Sequence, residues 1–151
     1  MKRVLIYIEN FLPPSQAFIV NQAKSFHHFD AEIMAGKRTS SVHQDVGRVQ
    51  ISEIRASGAM RIGELLLKVP RFPVPALFPP VQRADLIHAH FGKNGYVLGP
   101  VAKSAGKPMI TTFHGFDATY NCDPKAPGGF NQVRFFAHGR SEMAGWRHGW
   151  T

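Results

Sequence analysis

Four short apolar runs organise this chain: RVLIYI at 3–8, AEIMA at 31–35, DLIHAHF at 85–91 and KPMITTF at 107–113. Each has the length of a strand and is apolar almost throughout, the pattern of strands buried on both faces of a parallel sheet. VGRVQI at 46–51 is a weaker candidate of the same kind. Between the runs lie stretches with helical spacing. Residues 15–28 open on Ser15, a favourable N-cap, and carry Phe18, Ile19, Gln22 and Phe26. Residues 53–69 place Ile54, Ile62, Leu65, Leu66 and Val69 at helical intervals, with Arg55, Arg61, Glu64 and Lys68 on the other face. Residues 95–105 read as a helix closed by Gly106. Alternation of this kind predicts an α/β fold, a Rossmann-like open parallel sheet with helices on both faces. Right-handed crossovers then bring the strand C-termini to one edge, where such folds bind ligands.

The connecting segments agree. The Pro-Pro pair in ENFLPPSQ cannot sit inside a helix, GKRTSSVHQD is polar loop, and GKNG at 92–95 reads as a turn. PRFPVPALFPP at 70–80 holds five prolines, so it is an extended connector with at most a short helical turn. From Gly128 the chain begins like a helix, with Phe130, Val133 and either Phe136 or Ala137 on one stripe, but the pattern dissolves after His138. The expected organisation is one domain over residues 3–120, followed by an incomplete or atypical tail at 121–151.

Composition narrows the class. At 151 residues, with 44% hydrophobic and 19% charged residues, the chain can bury one core. Its single cysteine, Cys122, cannot form an internal disulfide, which fits a reducing, cytoplasmic setting. The first apolar run is too short for a signal peptide or a membrane span. A net charge of +8 favours anionic partners: nucleic acid, a phosphate-bearing small molecule or an acidic membrane. No RNA-binding aromatic signature, zinc-finger spacing or helix-turn-helix pattern is present, so nucleic acid is not expected. The 53–69 helix and its proline-rich sequel mix Lys68 and Arg71 with Phe72, Leu77 and Phe78. That mixture suits a peripheral membrane contact; the simpler reading is a core helix with a solvated basic face.

Three features at the expected strand edge carry polar chemistry. His88 and His90 share one face of a strand, and His90 stands nearer its C-terminal end. Gly92, Lys93, Asn94 and Gly95 precede a helix, where glycines let backbone approach a ligand and the N-terminus favours negative charge. The spacing is not that of a Walker loop. His114, Gly115 and Asp117 follow the last strand, and an imidazole there can move a proton near neutral pH. Each feature also has a plain structural reading: a hydrogen-bonded histidine pair, a turn, and an aspartate capping its own turn. His88, His90, His114 and Asp117 could together ligate zinc, as in metal-dependent hydrolases; those barrels need about 250 residues, and no metal is expected.

Two segments, ENFLPPSQAFIVNQ and DLIHAHFGKNGYVLGPVAKSAGKPMITTFHGFDAT, resemble the N-terminal half of glycosyltransferase family 4 enzymes of the GT-B fold. The first is similar to the family's opening loop and helix, with Gln16 and Ala17 in place of a Glu-Thr pair. The second follows its strand–helix–strand pattern into a His-Gly-x-Asp turn. The resemblance implies an acceptor-binding domain for a sugar moved from a nucleotide-sugar co-substrate to a lipid-linked or polysaccharide acceptor, in cell-envelope or exopolysaccharide synthesis. No further cofactor is implied. His114 would be the catalytic residue in the cleft. Ser15, Gln16, His90, Gly92, Asn94, Gly95, Gly115 and Asp117 would bind substrate. The resemblance implies a location in the cytoplasm or at the inner face of the plasma membrane. The family's C-terminal donor domain carries two glutamates eight positions apart, and no pair among Glu9, Glu32, Glu53, Glu64 and Glu142 has that spacing. The donor half is therefore expected to be absent from these residues, through truncation or a frame shift, and the isolated chain to be inactive. The alternative reading is a non-catalytic α/β module that binds an anionic ligand or a membrane.

Overall fold

The computed structural model describes residues 1–11, 17–38, 46–68 and 72–114. Among these residues five strands, β1 (Lys2–Phe11), β2 (Phe29–Arg38), β3 (Gln50–Glu53), β4 (Leu86–His90) and β5 (Met109–Thr112), are interspersed with four α-helices. These helices are α1 (Ala17–Lys24), α2 (Gly58–Lys68), α3 (Pro79–Arg83) and α4 (Gly92–Ser104). The strands form one sheet in the order β3-β2-β1-β4-β5, and every pairing is parallel. The predicted Rossmann-like α/β fold is therefore present. Residues Met1–Thr112 form one compact unit and Phe113–Thr151 another.

Both sheet faces are apolar because both are covered. Leu5, Tyr7, Met34 and Ile87 face Met60, Leu67, Phe78, Val81, Leu98 and Val101, which come from α2, α3, α4 and the segment between α2 and α3. Val4, Ile6, Ile8, Ile33 and Ala35 face Ile19, Val20 and Ala23 of α1. Parallel strands buried on both sides need this continuous apolar character. One carboxylate interrupts it. Glu32 on β2 is 2% exposed, and its Oε1 accepts hydrogen bonds from Ser52 Oγ (2.8 Å) and Arg83 (2.9 Å). Those bonds tie α3 to the sheet and give one oxygen of the buried carboxylate its partners, while the other, Oε2, is buried without one among the described residues.

Several boundaries differ from the sequence reading, each for a local reason. Strand β3 begins at Gln50, not at 46, because the Val49 amide bonds back to the Val46 carbonyl in a turn. Helix α1 stops at Lys24. The Ser25 hydroxyl donates to the Gln22 carbonyl, competing with further helix. The single helix expected over 53–69 is broken. A 3-10 turn at Ile54–Ala56 ends at Ser57, which is extended, and the Ser57 hydroxyl then accepts the Met60 amide to start α2. The proline-rich connector contains a 3-10 turn at Pro75–Leu77, and α3 begins on Pro79-Pro80, where missing amides cost nothing. GKNG is not a turn before α4 but its first turn.

The largest correction concerns the face that α2 buries. Its inward residues are Met60, Gly63 and Leu67, whereas Ile62 is 57% exposed and Leu65 62%. Gly63 explains the rotation. A Cβ there would lie 2.8 Å from the Phe78 ring and 2.9 Å from Leu77, so the helix approaches that segment as only glycine allows.

Candidate functional site

The sheet changes direction between β1 and β4: from β1 the chain order runs to β2 and β3 on one side and to β4 and β5 on the other. In open α/β sheets this switch point leaves a crevice beyond the strand C-termini. Two groups of residues stand there, one at the end of β1 and one at the junction of β4 with α4.

At the end of β1, Glu9 holds an ion pair to each of two helices. Its Oε1 lies 3.1 Å from Lys68 Nζ in the last turn of α2, and its Oε2 lies 2.8 Å from Lys93 Nζ in the first turn of α4. Lys68 also pairs with Glu64 at 2.7 Å. Burial alone would raise the Glu9 carboxyl, but hydrogen bonds and charge from Lys93 and Lys68 hold it below the usual carboxylate range. Burial likewise works to lower Lys68, and its bonds to Glu64 and Glu9 overcome this and raise it. Beneath them Tyr7 is buried, and desolvation together with the charges of Glu9 and Glu64 pushes its phenol well above the ordinary value. The result is a half-exposed carboxylate that stays ionised, flanked by two ammonium groups, above a tyrosine that stays neutral. Such a set can accept a hydroxyl proton in a hydrogen bond and donate to an oxyanion.

At the end of β4 the arrangement is interior. The His90 ring is 1% exposed, lies 4.3 Å from the His88 ring and meets Phe18 of α1 edge-on at 6.0 Å. His88 Nε2 and Thr112 Oγ1 share a hydrogen bond of 2.8 Å, which ties β4 to β5. Asn94, 6% exposed, donates from Nδ2 to the His90 carbonyl at 2.7 Å, joining α4 to the strand it follows. Gly92 and Gly95 are both buried. A Cβ on Gly95 would run into the Thr111 side chain, so this glycine lets α4 lie against β5.

Between the two groups Phe91 adopts φ 71 and ψ 138, the one non-glycine residue with positive φ among the described residues. Its amide donates to the Thr112 carbonyl at 2.8 Å, and its own carbonyl receives the amides of Asn94 and Gly95. Backbone held in this region costs roughly 1–3 kcal/mol and concentrates at ligand-facing turns. Here it turns the chain from β4 into α4 and sets Lys93 at the mouth.

Of the residues singled out from sequence, His90, Gly92, Asn94 and Gly95 come together at the β4–α4 junction, buried and engaged in packing or hydrogen bonds. His114 is half-buried, two residues beyond β5 and within the second compact unit. Ser15, Gln16, Gly115 and Asp117 lie outside the described residues. Sequence reasoning missed Glu9, and it took up Lys68 and Lys93 only for other features. The signal for Glu9 is the one charge that follows the apolar run of β1, at its C-terminal end. Among the described residues no group of three or more His, Cys, Asp or Glu side chains could hold a metal ion. Within the same residues no helix is long and apolar enough to cross a membrane. No protein-family model matches the chain, and a search of curated proteins finds no match either.

Proposed function

We propose that the chain is the acceptor-side domain of a GT-B glycosyltransferase, which positions a lipid-linked or polysaccharide hydroxyl for attack on a nucleotide-sugar. The observation that carries this reading is the parallel sheet in the order β3-β2-β1-β4-β5 with an ionised carboxylate and two lysines at its switch point. The resemblance of residues 85–119 to glycosyltransferase family 4 supports it. In the reaction the acceptor oxygen bonds to the anomeric carbon, the nucleoside diphosphate leaves with the electron pair of the broken carbon–oxygen bond, and the acceptor's proton passes to the His114 imidazole, the catalytic residue that the resemblance implies. Glu9 accepts a hydrogen bond from an acceptor hydroxyl and fixes its direction. Lys93, on the first turn of α4, donates to a sugar or phosphate oxygen. By the resemblance, His114 stands at the transferred sugar, Asp117 sets its turn, and Ser15 and Gln16 line the acceptor side. The nucleotide-sugar is held mainly by a partner domain, and no metal or other cofactor takes part in this scheme. The work is placed in the cytoplasm, at the inner face of the plasma membrane.

The test joins the full chain to a donor-side domain of this architecture and follows a radiolabelled sugar from nucleotide-sugars to polyprenyl-linked acceptors. Transfer is expected, and His114→Ala should lower it by about 10²–10⁴-fold, the usual share of a proton-transfer group. Absence of transfer from every nucleotide-sugar tried, together with no acceptor-induced chemical-shift change at Glu9 or Lys93, would overturn the reading.

A further inference from the structure

Helix α2 turns two large apolar side chains to solvent where its sequence pattern predicts a core stripe. Ile62 and Leu65 are more than half exposed, while Met60, Gly63 and Leu67 face inward. At about 100° per residue, Arg61, Ile62 and Leu65 fall on one arc opposite the buried face. Phe72 is 63% exposed, and its amide is bonded to the Leu66 carbonyl at 2.9 Å, which fixes it to the last turn of the same helix. Arg55, just ahead of α2, and Arg61 on it are exposed too. The one acidic residue of α2, Glu64, is paired with Lys68. A single exposed leucine needs no explanation. Here three of the seven large apolar residues that are exposed among the described residues gather on one helix and its bonded sequel.

We infer that this face of α2, with Phe72, docks the chain on an anionic lipid bilayer. Apolar side chains flanked by arginines match the two layers they would meet: acyl chains below, anionic headgroups around. A second copy of the chain fits worse, because it would set Arg55 and Arg61 against their own counterparts. Three such side chains also offer on the order of 300 Å², short of the roughly 800 Å² per partner of a stable protein interface. The helix that docks is the helix whose Lys68 reaches Glu9. Docking therefore holds the lip of the crevice at the membrane surface, where a lipid-linked acceptor would present its headgroup. The inference deepens the transferase reading, which already sets the chain at a membrane face, and the two fail separately, since binding to a bilayer needs neither donor nor acceptor.

The experiment sediments the full chain with vesicles of phosphatidylcholine, alone and mixed with phosphatidylglycerol. The chain should bind the mixed vesicles at least about tenfold more strongly than phosphatidylcholine alone, and high salt should weaken that binding. The double substitution Ile62→Ser, Leu65→Ser should lower partitioning by about tenfold or more, and Arg61→Glu by about fivefold or more. Leu65→Trp should shift its emission to the blue only when mixed vesicles are added. Circular dichroism checks the fold of each variant, and the Trp and Arg61 arms stand if the double variant fails to fold. Equal partitioning of the folded double variant and the wild-type chain, or equal binding to both vesicle types, would overturn the inference. Self-association that the double substitution abolishes would also overturn it, assigning the face to a second copy.

Discussion

The ends of β1 and β4 lie side by side at the same edge of the sheet, yet they treat polar residues in opposite ways. At β4 the imidazole and carboxamide that stand out in the sequence are interior: His90 packs against His88 and Phe18, and Asn94 spends its amide on the His90 carbonyl. At β1 a single glutamate, inconspicuous in the sequence, holds lysines from two helices at a half-exposed lip. A residue type that can do chemistry is available to a ligand only if the fold has not already used it. The β4 side secures the wall of the crevice, and the β1 side presents charge to whatever enters. If this contrast is right, substitutions on the β4 side act mainly on stability and those on the β1 side mainly on ligand interaction.

The sharpest way to break the contrast is Gly95→Val. The added side chain meets Thr111 where even a Cβ has no room, so α4 must shift away from β5. A loss of about 3 kcal/mol is expected, near the upper end for overpacking, and it should appear as a lowered urea midpoint of the unit Met1–Thr112. A neutral outcome would mean that α4 does not lie against β5 as described. His90→Ala comes next, at about 2 kcal/mol, because removing a buried ring leaves a cavity between His88 and Phe18. If His90→Ala kept its stability but weakened acceptor binding, the β4 side would be part of the recognition surface and the contrast would fail.

The same contrast marks what the sequence could convey. The α/β class and the open, all-parallel sheet were legible, because short apolar runs between helical stretches have few alternatives once crossovers are right-handed, whereas the order of the strands across the sheet was not read from the sequence. The face of α2 was not. Periodicity weights bulky residues, and the centre of the buried face is Gly63, which carries no hydrophobic signal and sits there because Phe78 and Leu77 fill the space. The first turn of α4 was hidden for a similar reason. Gly92, Asn94 and Gly95 look like turn residues, and only the hydrogen bond from Asn94 to the His90 carbonyl and the fit of Gly95 against Thr111 show that they open a helix. Glu9 illustrates a third limit. Its partners lie 59 and 84 positions along the chain, Lys68 by one ladder of hydrogen bonds and Lys93 by another, and no local pattern announces such a meeting.

The smallest expected effect tests the β1 side. Glu9 has a folded-state carboxyl held below its unfolded value, so the native state binds its proton less readily than the unfolded chain. Its contribution is therefore present above the unfolded carboxyl range and is lost as pH falls through the lower folded value. Lys68 has the opposite sign. Its raised ammonium contributes fully below the unfolded lysine range, and that contribution disappears as pH climbs through the higher folded value. Because Lys68 and Lys93 are largely open to water, with side chains 40% and 61% exposed, the whole clamp is worth at most about 1 kcal/mol. Urea midpoints of the wild-type chain and of Glu9→Gln, followed from neutral to acid pH, should start apart by that small amount and converge as the wild-type carboxylate is protonated. A constant gap at every pH would show that the substitution acts through packing rather than charge. An acceptor that binds wild type and Glu9→Gln equally would remove Glu9 from the recognition surface, leaving it a clamp between α2 and α4.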